Sequence, residues 1–232
     1  MESPVLLHAL MAFSSVTLSY FDTSYATIAV ETRVRALSSL SKSILAEDIV
    51  QREINLAACL VLATAEISLG HRAEWHNHLQ GAKHVVLSTH ASQRDAMPLI
   101  GTEAVKASHE GRWLLRNFAY HDIMGSVVSG HSLLLDTNYP EDVSTPVDSY
   151  FGVAYEILLS IAKTTSLDLT GLDNVTTLSD VAMTKVNTTK AAISSIETSL
   201  CAWKCPNVVD AGLVHGTLFP ERSASLPLRT HP

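Results

Sequence analysis

The side chains best suited to chemistry in this sequence are its histidines and cysteines, and their spacing decides whether they can form a site. Of eleven histidines, His71, His76, His78, His84 and His90 crowd into one stretch. Ligands on a helix must stand three or four residues apart to face one ion. His76 and His78 point apart on a helix, and Gln80 occupies the position four after His76, so the spacing argues against a metal site. The three cysteines, Cys59, Cys201 and Cys205, are an odd count. Cys59 falls in an apolar stretch, where a buried free thiol is the ordinary state. No phosphate-cradling glycine loop, nucleophile elbow or cysteine–histidine catalytic spacing occurs.

The adjacent pair His121-Asp122 is the main enzymatic signal. It resembles the metal-binding pair of HD-type phosphohydrolases, which are all-α enzymes. Such a site also needs further histidines and a second aspartate from separate helices, and His8, His78 and Asp180 would have to be recruited for it. Asp122 has a structural reading too. It shares a helical face with Leu115, Ala119 and Ser126, and a carboxylate turned into packing must find a donor or take up a proton. The expectation is that it accepts a hydrogen bond from the indole of Trp75 or from His78, tying two helices together. Trp75 and Trp113 are read as core packing, with the lining of an apolar small-molecule pocket as the alternative.

The elements that must position these residues are helices. Ser3 followed by Pro4 reads as a helix start, because proline lacks the amide hydrogen that would be unpaired there. Leu6, Leu10, Phe13, Val16 and Tyr20 then mark one face. A second helix is expected over about 25–44 and a third over 47–69, apolar nearly all round and closed by Gly70. Trp75, Leu79, Ala82 and Val86 give a clean amphipathic helix. A polar stretch over 88–109 precedes a helix over about 111–128. Gly130, Pro140 and Pro146 mark a long connection to a helix over about 147–162. The last helix is expected over 178–200, with Ile193, Ile196 and Leu200 on one face. No run alternates with a two-residue period between hairpin signals, so no sheet is expected. The reading is an all-α antiparallel bundle or solenoid-like array of about seven helices.

At 232 residues and 47% hydrophobic content, the chain can bury a sizeable core. Sixteen basic against 23 acidic side chains leave a net charge of −7, which repels phosphate and argues against direct contact with nucleic acid. Glu2 stands where a signal peptide needs positive charge. The apolar stretch 56–67 is too short to span a bilayer and contains Glu66. A soluble intracellular protein with no membrane contact is expected, and the triplets Asn174-Val175-Thr176 and Asn187-Thr188-Thr189 would matter only in a secreted chain.

The segment Trp75-His76-Asn77-His78-Leu79-Gln80-Gly81-Ala82, preceded by Glu66 and Gly70, resembles the tryptophan, His-Leu and Gly-Ala signature of the fungal-specific transcription factor domain. Trp113 through Phe118-Ala119-Tyr120-His121-Asp122-Ile123-Met124-Gly125-Ser126 resembles that family's aromatic-rich helix ending in an aspartate and small residues. Ser129-Gly130-His131 to Leu134-Leu135-Asp136 continues the likeness, and 3–12 is similar to the family's first helix. The resemblance therefore runs over roughly 3–200. It implies a regulatory, non-enzymatic domain of binuclear zinc-cluster, Zn(II)2Cys6, factors, with Trp75, His78, Leu79, Gly81, Ala82, Trp113, Phe118 and Asp122 as packing and turn residues. It implies a nuclear protein, shared with the cytoplasm in some states, whose partners are co-regulators or its own copy, and it admits a small apolar effector. No cofactor is expected in this segment: three cysteines cannot supply the six thiolates of the family's zinc-binding head. Either such a head has been removed, or the chain is a headless interaction protein of the same fold. The division expected is a helical regulatory domain over 1–204 and an irregular tail over 205–232, where Pro206, Gly212, Gly216, Pro220, Pro227 and Pro232 break helical continuation.

Overall fold

A computed structural model of the chain describes residues 3–46, 48–70, 74–91, 97–130, 132–135, 150–152, 154–165, 167 and 180–204. Helix α1 (Pro4–Ser19) begins with proline at its first position, as the sequence predicts. A 3-10 turn (Thr23–Tyr25) leads to α2 (Ala26–Ser43), and α3 follows as Ile49–Leu69. The Asp48 carboxylate caps α3 by accepting the Gln51 amide at 3.0 Å. Gly70 ends α3 at φ 71°, a left-handed conformation that glycine adopts without a Cβ penalty. Helix α4 is Glu74–Leu87.

Within the polar stretch the structure holds elements that the sequence reading missed. Strands β1 (His90–Ala91) and β2 (Leu99–Ile100) pair antiparallel, His90 opposite Ile100, and helix α5 (Thr102–Lys106) follows. Two-residue strands are too short to show alternation, and a five-residue helix is too short to show a repeat. Helix α6 (His109–Ser129) starts at Ser108, whose hydroxyl accepts the Gly111 amide at 2.7 Å. Helix α7 (Tyr155–Thr165) starts later than expected, and 147–149 lie outside the described residues. Helix α8 is Asp180–Ala202. The fold is all-α, with eight helices among the described residues rather than seven. The tail 205–232 lies outside them.

Successive helices pack as neighbours: α1 on α2 and α3, α3 on α4, α6 on α3, α4 and α7, and α7 on α8. Leu56, Leu62, Leu79, Leu115, Phe118 and Ile123 are fully buried where they meet, and each such side chain contributes roughly 2 kcal/mol by leaving water. The buried face of α1 differs from the expected one. Val5, Ala9, Ala12, Ser15 and Val16 are buried, whereas Leu10 and Tyr20 are exposed. Small side chains let α1 approach α2, where Ala29, Thr32 and Ala36 are buried in turn and Ser15 Oγ lies 3.0 Å from Thr32 Oγ1. Close approach of small residues therefore overrides the placement of the large aliphatics. On α8, Ile193 and Leu200 are likewise exposed, so the apolar stripe read there is not core.

Candidate functional site

The signature residues gather where α3, α4 and α6 meet, around two buried carboxylates. Glu66 sits in the most apolar stretch of the chain and is 1% exposed. A carboxylate so placed must be paired. Arg33, reaching across from α2, lies 2.7 Å from Glu66, and His78 Nε2 on α4 lies 3.8 Å from it. Three helices are thereby clasped through one side chain. Burial holds the His78 imidazole below the ordinary histidine value of 6.5; Glu66 opposes that shift and Arg33 adds to it. Arg33 escaped the sequence reading, although it lies in register with Ala29, Ala36 and Leu40 on the inner side of α2 and a lone charge at Glu66 demanded a partner.

Asp122 is buried, on the same face as Leu115, Ala119 and Ser126, as expected. Its hydrogen bonds correct the expected link to Trp75 or His78. The carboxylate accepts the Leu134 amide at 2.9 and 3.1 Å and the Leu135 amide at 3.5 Å, while His78 pairs with Glu66. Asp122 thus fastens the segment that follows α6 back onto α6. A charged acceptor suits this role, since charge-assisted bonds to backbone amides are stronger than neutral ones.

Trp75 locks α4 to α6 by shape. A Cβ added at Gly125 would fall 2.6 Å from the indole Cη2 and 2.8 Å from Cζ3, so the edge of the ring reaches the bare backbone of α6. Leu79, Ala82 and Phe118 are fully buried beside it, and Gly81 faces Cys59 Sγ across α3 and α4. Trp113 departs from its expected core position. It is 43% exposed and meets Tyr150 with ring centroids 5.7 Å apart and planes tilted by 57°, at the end of an aromatic run through Tyr120, Phe151 and Tyr155. That run covers the side of α6 toward α7.

Trp75 also walls a groove of about 420 Å3 between α3, α4 and α6, lined further by Ile67, Tyr120, His121, Met124 and Val128. His121 is held below the usual histidine range by burial, an effect opposed by its hydrogen bond to the Asn117 carbonyl. His121 and Asp122 line different hollows, one the groove and the other a narrow crevice behind Trp75.

The remaining histidines disperse. His8 bonds Ser39 at 2.6 Å, His76 bonds Gln80 at 3.2 Å, His84 and His90 are exposed, and His71 lies outside the described residues, as does the side chain of Asp180. Among the described residues no group of three or more His, Cys, Asp or Glu side chains could hold a metal ion, and His121 and Asp122 line different hollows rather than one site. Cys59 is a buried free thiol pushed up to about 12 by burial, and Cys201 is free and exposed; Cys205 lies outside the described residues. Of the two triplets, only Asn187-Thr188-Thr189 is described, on α8. No described helix is long and apolar enough to cross a membrane.

The sequence model described as the fungal specific transcription factor domain matches residues 1–220. No curated protein and no solved structure matches the chain.

Proposed function

The chain belongs to the fungal specific transcription factor domain family, and from that premise we propose that it is the regulatory domain of a binuclear zinc-cluster transcription factor, acting without catalysis. It controls transcription by RNA polymerase II from the nucleus, in answer to an effector or a protein partner. The observation that carries this reading is the family match over nearly the whole chain. The two buried carboxylates at the meeting of α3, α4 and α6 support it, because both are engaged in holding the fold together: Glu66 to Arg33 and His78, Asp122 to Leu134 and Leu135. A domain tied by a few buried polar contacts can be biased between two packings by whatever binds one of them better.

This chain's own residues do not fit the zinc cluster of such factors. Cys59 is enclosed in α3 and Cys201 is exposed on α8, and three cysteines fall short of six. Zinc and DNA contact therefore belong to a separate head, and the net charge of −7 suits a domain that stays off the phosphate backbone. Partners are co-regulators or a second copy, for which the exposed Leu7, Leu10, Met11 and Leu18 of α1 offer apolar surface. The test is to tether the full chain to a heterologous DNA-binding domain upstream of a reporter in fungal cells. Output should differ severalfold from that of the DNA-binding domain alone; equal output from a fusion that accumulates in the nucleus would remove the proposal.

A further inference from the structure

Helix α1 is apolar on two opposite faces. Val5, Ala9, Ala12 and Val16 turn into the bundle, while Leu7, Leu10, Met11 and Leu18 on the far side are each between 41% and 46% exposed. Phe21, just past the helix end, is 85% exposed. None of the sixteen residues of α1 is Asp, Glu, Lys or Arg, in a chain of which 17% are charged. The solvent side of a helix ordinarily gathers such charges, and a helix apolar all round is a covered one. Leu7, Met11, Ser14, Leu18 and Phe21 follow in steps of four, three, four and three, the spacing at which one helix seats along another.

This seam is complementary to itself about Ser14. Laid antiparallel on a second copy with Ser14 at the two-fold axis, Leu7 meets Phe21, Leu10 meets Leu18 and Met11 meets Thr17, so bulky side chains fall toward both ends and the smallest at the crossing. The seam holds no charge that would select a foreign partner or repel its own copy. Asp22, exposed beyond the helix end, fixes the direction. A parallel pair would set it against its counterpart in the second copy. An antiparallel pair sets it beside the other copy's first helical turn, which has no acidic residue of its own and whose positive end favours a carboxylate. We propose that α1 is the interface of a two-fold dimer of this chain, its outer face paired antiparallel on α1 of a second copy about Ser14. This deepens the regulatory reading above, on which its meaning rests, by naming the partner. A single helix pair covers less than the roughly 800 Å2 per partner of a standard interface, so the dimer is a reversible one that forms with concentration.

The experiment uses the full chain carrying Cys201→Ser and Cys205→Ser, which leaves only the buried Cys59. In sedimentation velocity its mean mass should climb from one chain toward two as concentration rises. Leu10→Glu should weaken that association by about tenfold or more, since it buries an unpaired carboxylate against Leu18. Leu10→Glu/Leu18→Lys should regain most of the loss, because each copy then offers the other an opposite charge. Both positions are half-exposed, so the folded chain tolerates the changes. Mild oxidation of Ser14→Cys should give a disulfide-linked dimer, because helix axes about 8–10 Å apart bring facing Cα atoms within the roughly 7 Å that a disulfide spans. Leu7→Cys should not, since antiparallel pairing holds the two copies of that position about 21 Å apart along the axis. A chain that stays monomeric at every concentration would overturn the proposal and leave the face to a foreign helix. A Leu10→Glu variant that associates like wild type, or cross-linking at position 7 as ready as at position 14, would overturn it too. Self-association is read on the purified chain and transcription on the tethered one, so failure of this interface is told apart from failure of the regulatory reading.

Discussion

Replacing Asp122 with alanine tests how the end of α6 is held. The carboxylate is the acceptor for the Leu134 amide at 2.9 and 3.1 Å and for Leu135 at 3.5 Å. Removing it strands two backbone donors, one of them on the buried Leu135. An unmade bond at a buried group costs about 1–3 kcal/mol. The contact to Leu135 is long and therefore weak, and Leu134 is only half-buried, so a total of about 2 kcal/mol is expected. For a chain of this length that lowers Tm by about 6 °C. Asp122→Asn keeps one oxygen acceptor for Leu134 and loses the charge, so its loss should be about half as large, about 3 °C. Thermal unfolding followed by far-ultraviolet circular dichroism separates the two. An Asp122→Ala melt within a degree of wild type, or an asparagine variant as unstable as the alanine one, would refute the assignment.

Other consequences follow from the same contacts. Arg33→Leu leaves Glu66 enclosed without its guanidinium; because Arg33 is 32% exposed, the cost falls between that of surface and buried pairs, about 2 kcal/mol. Adding Glu66→Gln to it should cost less than the sum of the two single changes, and a strictly additive double variant in denaturant titrations would count against the clasp. His78 and His121 both titrate below 6.5 in the folded chain, so the unfolded chain binds more protons as pH falls through that value. Stability is therefore full above 6.5 and declines below it, toward the folded-state pKa values. Tm should drop between about pH 7.5 and about pH 5.5, less steeply in His78→Gln/His121→Phe; a flat or rising profile in the wild type would contradict this. Iodoacetamide applied to native protein should label Cys201 and spare Cys59, whose thiol burial pushes up to about 12; mass spectrometry of native and unfolded samples reads this directly, and equal labelling would show that α3 is not enclosed.

Helix positions were legible wherever a long amphipathic repeat or a terminal signal existed. Pro4 opened α1, Gly70 closed α3, and the Trp75, Leu79, Ala82 and Val86 stripe marked α4. What escaped was decided by partners distant in sequence. Periodicity points to the wrong face of α1 because it weighs large aliphatics, while the α1–α2 approach rewards Ala9, Ala12 and Ser15. Residue type alone points Trp113 to the core, yet its half-exposed ring packs on Tyr150, a neighbour thirty-seven residues along the chain. For Asp122 the sequence showed the need for a donor and could not say which; backbone amides of the chain just past α6 outcompeted more distant side chains. Glu66 and His78 were both visible in the signature, but their pairing, with Arg33 as third member, depends on how α2 lies across α3.

The most direct measurement asks whether regulation and the helical bundle stand or fall together. Wild type and Asp122→Ala, each tethered to the same heterologous DNA-binding domain, would be compared on a reporter at a growth temperature below the variant's melting transition and again at one lying between the two proteins' transitions. Equal effects on the reporter at the lower temperature, and loss of the variant's effect alone at the higher one, are the predicted result. A variant that keeps its full effect with the bundle unfolded, or a wild type that never departs from the DNA-binding domain alone, would contradict it.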